Sequence, residues 1–403
     1  MAKNLSSIVL ALFVSVLVLL PFSRLSELPI LLLCFIGIYG VVKQSYRLKN
    51  NPHFNILNVV FFSYFFAIVF SAIDSYWAQK TWLVALSSWR FYLASIALIL
   101  YIRQEQMVLL FKIFALVAIV WSLDALLQYF VGVDVIGRAS YEGRLNGMFG
   151  ENHAKLGPVL ALLLPLTMIA LIKHTSLLRW LSVLLIVVII FLSGTRSAWI
   201  MMAFALLAYW FHHVKHRRFQ LLAKALLVAS LMIGSLWLVS PEFKQRAQRT
   251  ISAFDGTQAG LDFALSSRLP IWKTSWQMIQ EHPINGIGAH AFRKAYPDYA
   301  LDNDSWQQQG GVGMHAHHWV LEVLAETGII GLLLIGFAIF KLWLFVRKNY
   351  HKHYSWAFSV ALISAFLPIT STYSIFASFW SICIWFIGAG LIVVSQKEDN
   401  YSD

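Results

Sequence analysis

Long apolar runs separated by short polar breaks dominate the chain. A transmembrane α-helix needs about 20 mainly apolar residues, and a somewhat shorter run can still cross a thin or locally thinned bilayer. Runs of suitable length cover residues 6–22, 29–42, 54–73, 82–102, 107–131, 156–172, 178–194, 196–212, 221–239, 319–345, 355–372 and 375–395. The pattern therefore predicts an all-α polytopic membrane protein with about twelve transmembrane helices.

When alternate connections are assigned to opposite sides of the membrane, thirteen basic residues fall together on one side. They are Lys43, Arg47, Lys49, Arg103, Lys173, Arg179, Lys215, Arg217, Arg218, Lys224, Arg347, Lys348 and Lys352. Positive charge marks the cytoplasmic side. Both termini are therefore predicted to be cytoplasmic, and the two longest polar connections exoplasmic.

Three regions follow from this topology. Residues 1–240 hold the first nine spans and the exoplasmic loop 132–155, residues 241–316 form an exoplasmic insert, and residues 317–403 hold the last three spans and a short tail. The insert is predicted to contain amphipathic helices lying at the membrane interface.

The clearest of these interfacial helices is predicted over Ser267 to Ile279. Its pattern places Trp272, Trp276 and Ile279 on one face. Tryptophan favours the boundary between lipid and water, so this helix is expected to lie along the bilayer surface.

Composition agrees with a membrane protein. The chain is 59% hydrophobic and 12% charged, with a mean hydropathy of +0.67, which is more apolar than one soluble core can bury. The net charge of +12 is explained by basic cytoplasmic loops and anionic lipid headgroups, so membrane lipids and not nucleic acid are the expected partners. Cys34 and Cys383 both lie inside apolar runs and are expected to be free thiols.

Three histidines, His315, His317 and His318, stand where the tenth predicted span begins. Histidine exchanges a proton near neutral pH, so a general base at this boundary could act on a lipid-anchored substrate. Helix capping or core packing is the plain alternative. A transition metal is a third, with Glu322 as a further ligand, but no complete ligand set is evident.

Three arginines are candidates for binding an anion. Arg196 lies between two spans, where a charge needs a partner or water, because charge in hydrocarbon costs about 2.5–3.5 kcal/mol. With Gly194 and the free amides of the following helix it could bind phosphate; otherwise it snorkels to the boundary. Arg268 is a second phosphate candidate or a solvated charge beside its helix. Arg90, inside the fourth span, serves either an internal ion pair or the path of a lipid phosphate.

Two polar loops carry weaker signals. The five glycines from Gly137 to Gly157, with Arg144, Asn152 and His153 among them, predict either a tight re-entrant loop or a simple exposed connection. Asp302-Asn303-Asp304 has the D-x-D form of some metal sites but suits a turn equally well, so no metal is predicted there.

Four motifs in order carry a family resemblance: GRLNGMFGENH, SGTRSAW, SRLPIWKTSW followed by HPINGIGAHAF, and HAHHWVLEVLAETGIIG. In order and spacing they resemble the bacterial O-antigen ligases and their relatives, the O-antigen polymerases and protein O-oligosaccharyltransferases. Together with the predicted spans, the resemblance covers most of the chain.

The resemblance implies a transferase of the bacterial inner membrane acting on the periplasmic side. A ligase moves a polysaccharide from undecaprenyl diphosphate to a sugar hydroxyl of lipid A-core oligosaccharide, without metal, ATP or another cofactor. The matched positions imply His317 as the catalytic histidine and place Arg196 and Arg268 near the donor diphosphate. The residue after this histidine is often asparagine in the family, and here it is His318, so His315 and His318 remain possible substitutes or modulators.

Further candidates for the site are Arg144, Arg90, Asn152 and Arg293. One base and one acceptor fit a single displacement, which inverts the anomeric carbon. An O-antigen polymerase and a protein O-oligosaccharyltransferase remain as enzymatic alternatives. A transporter of lipid-linked sugars is the non-enzymatic alternative, although no internal repeat of the transporter kind is visible.

Overall fold

The secondary structure is helical in the part of the chain that the computed structural model describes. That part comprises residues 2–140, 144–150, 154–172, 177–213, 230, 234, 235, 237, 238, 241–302, 304–308, 313–367 and 373–399. Within it no β-strand occurs, and extended pairing is confined to isolated bridges such as that between Val133 and Ala139. The predicted all-α fold class is therefore confirmed for these residues.

Eight α-helices make up the first half of the described chain. They are α1 (Ala2–Val18), α2 (Glu27–Lys49), α3 (Pro52–Ser71), α4 (Ala78–Tyr101), α5 (Met107–Val131), α6 (Leu156–Ile172), α7 (Leu177–Leu192) and α8 (Arg196–His213). Short 3₁₀ turns cover Leu20–Ser26, Gln104–Gln106 and Gly147–Phe149.

Eight more follow from residue 241 onward. They are α9 (Pro241–Ile251), α10 (Gln258–Ala264), α11 (Leu269–Glu281), α12 (Phe292–Tyr299), α13 (Ser305–Gln308), α14 (Trp319–Asn349), α15 (His353–Phe366) and α16 (Ser378–Asp399). The short helices α9 to α13 belong to the predicted insert.

Six helical segments of the described chain are long and apolar enough to cross a membrane: Arg24–Lys49, Pro52–Ser71, Ala78–Tyr101, Gln104–Val131, Trp319–Asn349 and Ser378–Glu398. Three shorter apolar helices cover Asn4–Val18, Leu156–Leu171 and Leu177–Leu192. The protein is therefore a multi-pass membrane protein. The prediction of twelve spans stays a prediction, and its ninth span at 221–239 lies largely outside the described residues.

Two hydrophobic clusters organise the packing. The larger one joins the membrane helices, and at its centre the rings of Phe13 and Phe386 stack with centroids 4.4 Å apart. The smaller one holds the insert together through Ile271, Met278 and Phe292 and their neighbours. The insert thus has a core of its own that fixes the orientation of its helices.

The amphipathic helix predicted at Ser267 to Ile279 is present as α11, shifted by two residues. Its packed face contains Ile271, Met278 and Ile279, whereas Trp276 is 53% exposed. The predicted common face of the two tryptophans and Ile279 is therefore wrong in detail, because Ile279 packs into the cluster and Trp276 points outward.

The helix after the histidines is divided in two at Gly328, where the backbone leaves the helical region at φ 59° and ψ −166°. The insert closes the break with its own backbone. The Ile287 N–H donates to the Ala325 carbonyl at 2.9 Å, and the Ile329 N–H donates to the Pro283 carbonyl at 2.9 Å. Irregular backbone at membrane depth needs such partners. The predicted span at 319–345 is thus two helical pieces held by the insert.

Glycine makes this close approach possible. A Cβ atom at Gly328 would overlap the carbonyl group of Ile284, and one at Gly286 would overlap the backbone of Glu326. Both glycines also have positive φ, a conformation that other residues rarely adopt. The NGIG sequence of the insert and the ETGIIG sequence of α14 therefore pack directly against each other through their backbones.

Candidate functional site

The loop before α14 places two of the three histidines side by side. The ring centroids of His315 and His317 lie 3.8 Å apart, with 46° between the ring planes. His317 has a positive φ of 51°, an uncommon conformation for a residue with a Cβ, which often occurs at functional sites. The backbone is thus bent at the residue that the family resemblance marks as catalytic.

The third histidine has a structural task. His318 is the N-cap of α14, and its Nδ1 accepts a hydrogen bond from the Leu321 N–H at 3.2 Å. Burial lowers the pKa of His318. A neutral imidazole whose Nδ1 accepts a backbone hydrogen bond can serve as an N-cap. Of the alternatives given for the three histidines, helix capping therefore applies to His318.

Three arginines from separate segments lie close enough to Arg268 to act on it electrostatically. Burial and the positive charges of Arg196, Arg144 and Arg249 lower the pKa of Arg268 to about 10. Arg268 still carries its charge at neutral pH, so several like charges are held close together. Such a cluster favours an anion, because a bound anion relieves the repulsion between the guanidinium groups.

Hydrogen bonds to the end of α10 hold two of these arginines. Arg196 donates to the Ala264 carbonyl and, at 2.9 Å, to the Ser266 hydroxyl. Arg249 donates to the Phe263 carbonyl at 2.8 Å. The predicted candidates Arg196 and Arg268 are therefore brought together by the turn that joins α10 to α11. Arg249 was not anticipated as a site residue, although it lies in a visibly basic stretch.

One helix connects the arginine cluster to the histidine loop. Arg268 is the N-cap of α11, and Trp272 lies about one turn, or 5.4 Å, further along it. The Trp272 indole N–H donates to the carbonyl of Ala316 at 3.0 Å, and Ala316 is the residue between His315 and His317. The arginine cluster thus lies at the start of α11, and the paired histidines are held about one turn further along the same helix.

The glycine-rich loop contributes Arg144, whose buried Nε atom has no hydrogen-bond partner among the described residues. Two polar residues of α5 hold this loop in place. Asp124 accepts from the Met148 N–H at 2.8 Å, and Gln128 accepts from the Asn146 N–H at 2.9 Å. Sequence reasoning missed Asp124 and Gln128, although two polar residues four apart in an apolar helix are a usable signal.

The candidates Asn152 and His153 lie outside the described residues. Their place relative to the arginine cluster therefore stays a prediction.

Arg90 lies apart from the cluster and forms an internal ion pair. Its Nε is 2.8 Å from a carboxylate oxygen of Glu27, and it also hydrogen-bonds the Ser87 carbonyl. Of the two interpretations of Arg90, the structure therefore shows the ion pair.

Arg293 lies near His290, three residues further along the chain. Burial and the positive charges of Arg293, Lys80 and His315 lower the pKa of His290 to about 4. The His290 N–H donates to a carboxylate oxygen of Glu326 at 2.6 Å, which ties this segment to the broken helix α14. Glu326 was not anticipated, although a carboxylate inside an apolar run is a signal of function or pairing.

The D-x-D sequence is used as a turn. Asp304 is buried, with one carboxylate oxygen accepting from the Tyr296 hydroxyl at 2.7 Å and the other from the Trp306 N–H at 2.8 Å. Asn303 lies outside the described residues. Among the residues that are described, no group of three or more His, Cys, Asp or Glu side chains is placed to hold a metal ion.

The fold and this geometry define a class: a helical multi-pass membrane protein with an arginine cluster beside paired histidines. A family model described as O-antigen ligase matches residues 181–336, which include Arg196, Arg268 and the histidine loop. This match supports the O-antigen ligase family, which the motifs also predicted.

The family indicates a membrane glycosyltransferase of the ligase or polymerase type, with lipid-linked glycans and lipid acceptors as general substrate classes. No curated protein matches the chain significantly.

Proposed function

We propose that this protein is an O-antigen ligase, which transfers a polysaccharide from undecaprenyl diphosphate to a sugar hydroxyl of lipid A-core oligosaccharide. One observation carries the proposal: the arginine cluster around Arg268 flanks the same helical turn as the paired histidines His315 and His317. Glycosyl transfer from a diphosphate needs these two parts, a cationic site for the leaving group and a base for the acceptor.

The donor diphosphate is assigned to Arg196 and Arg268. A guanidinium binds phosphate oxygens through two parallel hydrogen bonds, and such bonds strengthen as negative charge develops on the leaving group. Arg144 could add the buried Nε that lacks a partner in the described chain. The arginines then neutralise the leaving diphosphate without a resident metal ion.

His317 is assigned the role of general base. As the acceptor oxygen attacks the anomeric carbon, its proton passes to His317, the bond from that carbon to the phosphate oxygen breaks, and undecaprenyl diphosphate leaves. A single displacement of this kind inverts the configuration at the anomeric carbon. Retained configuration, or a trapped covalent glycosyl-enzyme, would contradict the mechanism.

The reaction is placed on the periplasmic side of the bacterial inner membrane. The distribution of basic residues supports this orientation, because it puts the insert and the histidine loop opposite the positively charged connections. Both termini are then cytoplasmic. Protease or cysteine-labelling access to residues of the insert in intact spheroplasts tests the orientation.

Reconstitution tests the reaction itself. Proteoliposomes containing the purified protein, an undecaprenyl diphosphate-linked glycan and lipid A-core are expected to yield glycan attached to lipid A-core. Product that remains on undecaprenyl diphosphate would instead show a polymerase, and product on a protein hydroxyl would show an O-oligosaccharyltransferase. Movement of the donor across the bilayer without any transfer would show a transporter.

A further inference from the structure

A polar cavity of about 390 Å³ lies away from the arginine cluster, at the N-terminal end of α4. Its lining includes Lys80, Arg90, Glu27, His290 and Ser378. Glu27 compensates the charge of Arg90, whereas Lys80 forms no salt bridge to any carboxylate in the described chain. The cavity therefore carries an excess of positive charge.

A second cavity of about 180 Å³ lies further along the same membrane helices. Its lining is apolar, with residues such as Leu57, Phe61, Ile335, Leu342 and Ile392. Ligand pockets in proteins usually measure about 300–1,000 Å³. The apolar cavity is therefore narrow, which suits one hydrocarbon chain better than several.

The two cavities adjoin each other. Tyr64, Ser88, Phe91 and Ser381 line both of them. Along α4 the adjoining cavities extend from Lys80 to Ser95, a helical distance of about 22 Å. This exceeds half of the roughly 30 Å hydrocarbon core of a bilayer. The space thus has the form of an amphiphile, with a cationic mouth and an apolar body.

We infer that the adjoining cavities bind one hydrocarbon chain of an anionic lipid, whose phosphate lies at Lys80. This lipid is assigned as the phosphorylated glycolipid acceptor, an assignment that rests on the proposed function. His290 lines the cavity, and its backbone N–H donates at 2.6 Å to Glu326 of α14, the helix that follows the histidine loop. The donor diphosphate at Arg268 and the acceptor then approach the histidine loop from different sides.

Two glycines provide a matched pair of variants. Gly388 lines the apolar cavity, and a Cβ atom there meets open space, so Gly388→Leu fills the cavity without a backbone clash. Gly336 also has open space around its Cβ position but lies on an exposed face of α14 and does not line the cavity. Gly336→Leu therefore controls for the added side chain in a membrane helix.

The binding experiment uses the full-length protein in phosphatidylcholine nanodiscs with a trace of phosphatidic acid that carries a photoreactive group on its chain. Labelling of α14 and α16 segments next to the cavity is expected in the wild type and in Gly336→Leu, and about tenfold less in Gly388→Leu. Lys80→Gln should reduce labelling by this anionic probe but not by a phosphatidylcholine probe. Equal labelling of all variants overturns the inference.

Competition identifies the source of the lipid. Displacement of the probe by a lipid A-type phosphorylated glycolipid at lower concentration than by phosphatidylglycerol supports the acceptor assignment, and displacement by phosphatidylglycerol alone overturns it. In the transfer assay, Gly388→Leu should raise the KM for the acceptor and leave that for the donor unchanged. If the wild type labels but never transfers glycan, the proposed function fails while the lipid-binding cavity stands.

Discussion

Trp272 and Ala316 are joined by a hydrogen bond of 3.0 Å from the indole N–H to the backbone carbonyl. The bond links two segments that are 44 residues apart in sequence. Because Arg268 begins the helix of Trp272, and His315 and His317 flank Ala316, the bond sets the distance between the arginine cluster and the paired histidines.

Trp272→Phe removes this hydrogen bond but keeps an aromatic ring. An unpaired buried carbonyl costs about 1–3 kcal/mol, so we expect the histidine loop to loosen and kcat to fall about tenfold to a hundredfold. Trp276→Phe is the matched control because Trp276 is 53% exposed on the same helix. Steady-state kinetics and thermal unfolding of both variants measure the effect, and equal kcat values for the two would refute the linking role.

Separate substitutions of His317 and His318 distinguish the general base from the helix N-cap. His317→Ala is expected to lower transfer by about 10²–10⁴-fold, while donor binding and protein level persist. His318→Asn should keep most activity, because asparagine is also a good N-cap. His318→Ala should lower stability by about 1 kcal/mol through loss of the cap. Normal transfer by His317→Ala would show that the base assignment is wrong.

Arg268→Lys tests whether the arginine cluster needs the planar guanidinium. Lysine keeps the charge but cannot make two parallel bonds to phosphate, so we expect kcat to fall about 10²–10³-fold, as for loss of other groups that stabilise developing charge. Arg103→Lys serves as the control, since Arg103 is exposed and pairs with Glu105. Donor titration by fluorescence checks binding, and wild-type kinetics in Arg268→Lys would exclude bidentate binding.

Gly328→Ala should destabilise the protein by several kcal/mol, because the new Cβ overlaps the Ile284 carbonyl and the positive φ becomes strained. Gly336→Ala on the same helix meets open space and should be neutral or stabilising by up to about 1 kcal/mol. Thermal unfolding in detergent compares the two. If both variants melt alike, the contact between the insert and the broken helix does not stabilise the fold.

Acid should destabilise the wild type partly through His290. Its pKa of about 4 in the folded protein is below the ordinary histidine value of about 6.5, so the unfolded chain binds more protons and stability falls as the pH drops from about 6.5 toward 4. His290→Gln should lose less stability between pH 7.5 and 4.5. The exposed His351→Gln is the control, and an identical acid response in all three proteins would contradict burial of a neutral His290.

Apolar patterning and motif order were sufficient to predict the all-α class, the multi-pass membrane character and the likeness to O-antigen ligases. These depend on local information, namely the length of apolar runs and the order of short motifs, which are visible without a fold. The sequence also pointed to His317, Arg196 and Arg268 through the resemblance, and their roles stay predictions for the mutants above.

Which charged side chains come together depends on how the chain folds. Arg144, Arg196, Arg249 and Arg268 come from four separate segments, whereas Arg90 turns to Glu27 and away from this cluster. Helix capping was one of the alternatives for the three histidines, but its assignment to His318 depends on a hydrogen bond formed as the chain folds. The break at Gly328 likewise depends on backbone hydrogen bonds to a distant segment. The apolar pattern reports how much surface a helix buries. It does not report which distant backbone or side chain satisfies the polar groups on that surface.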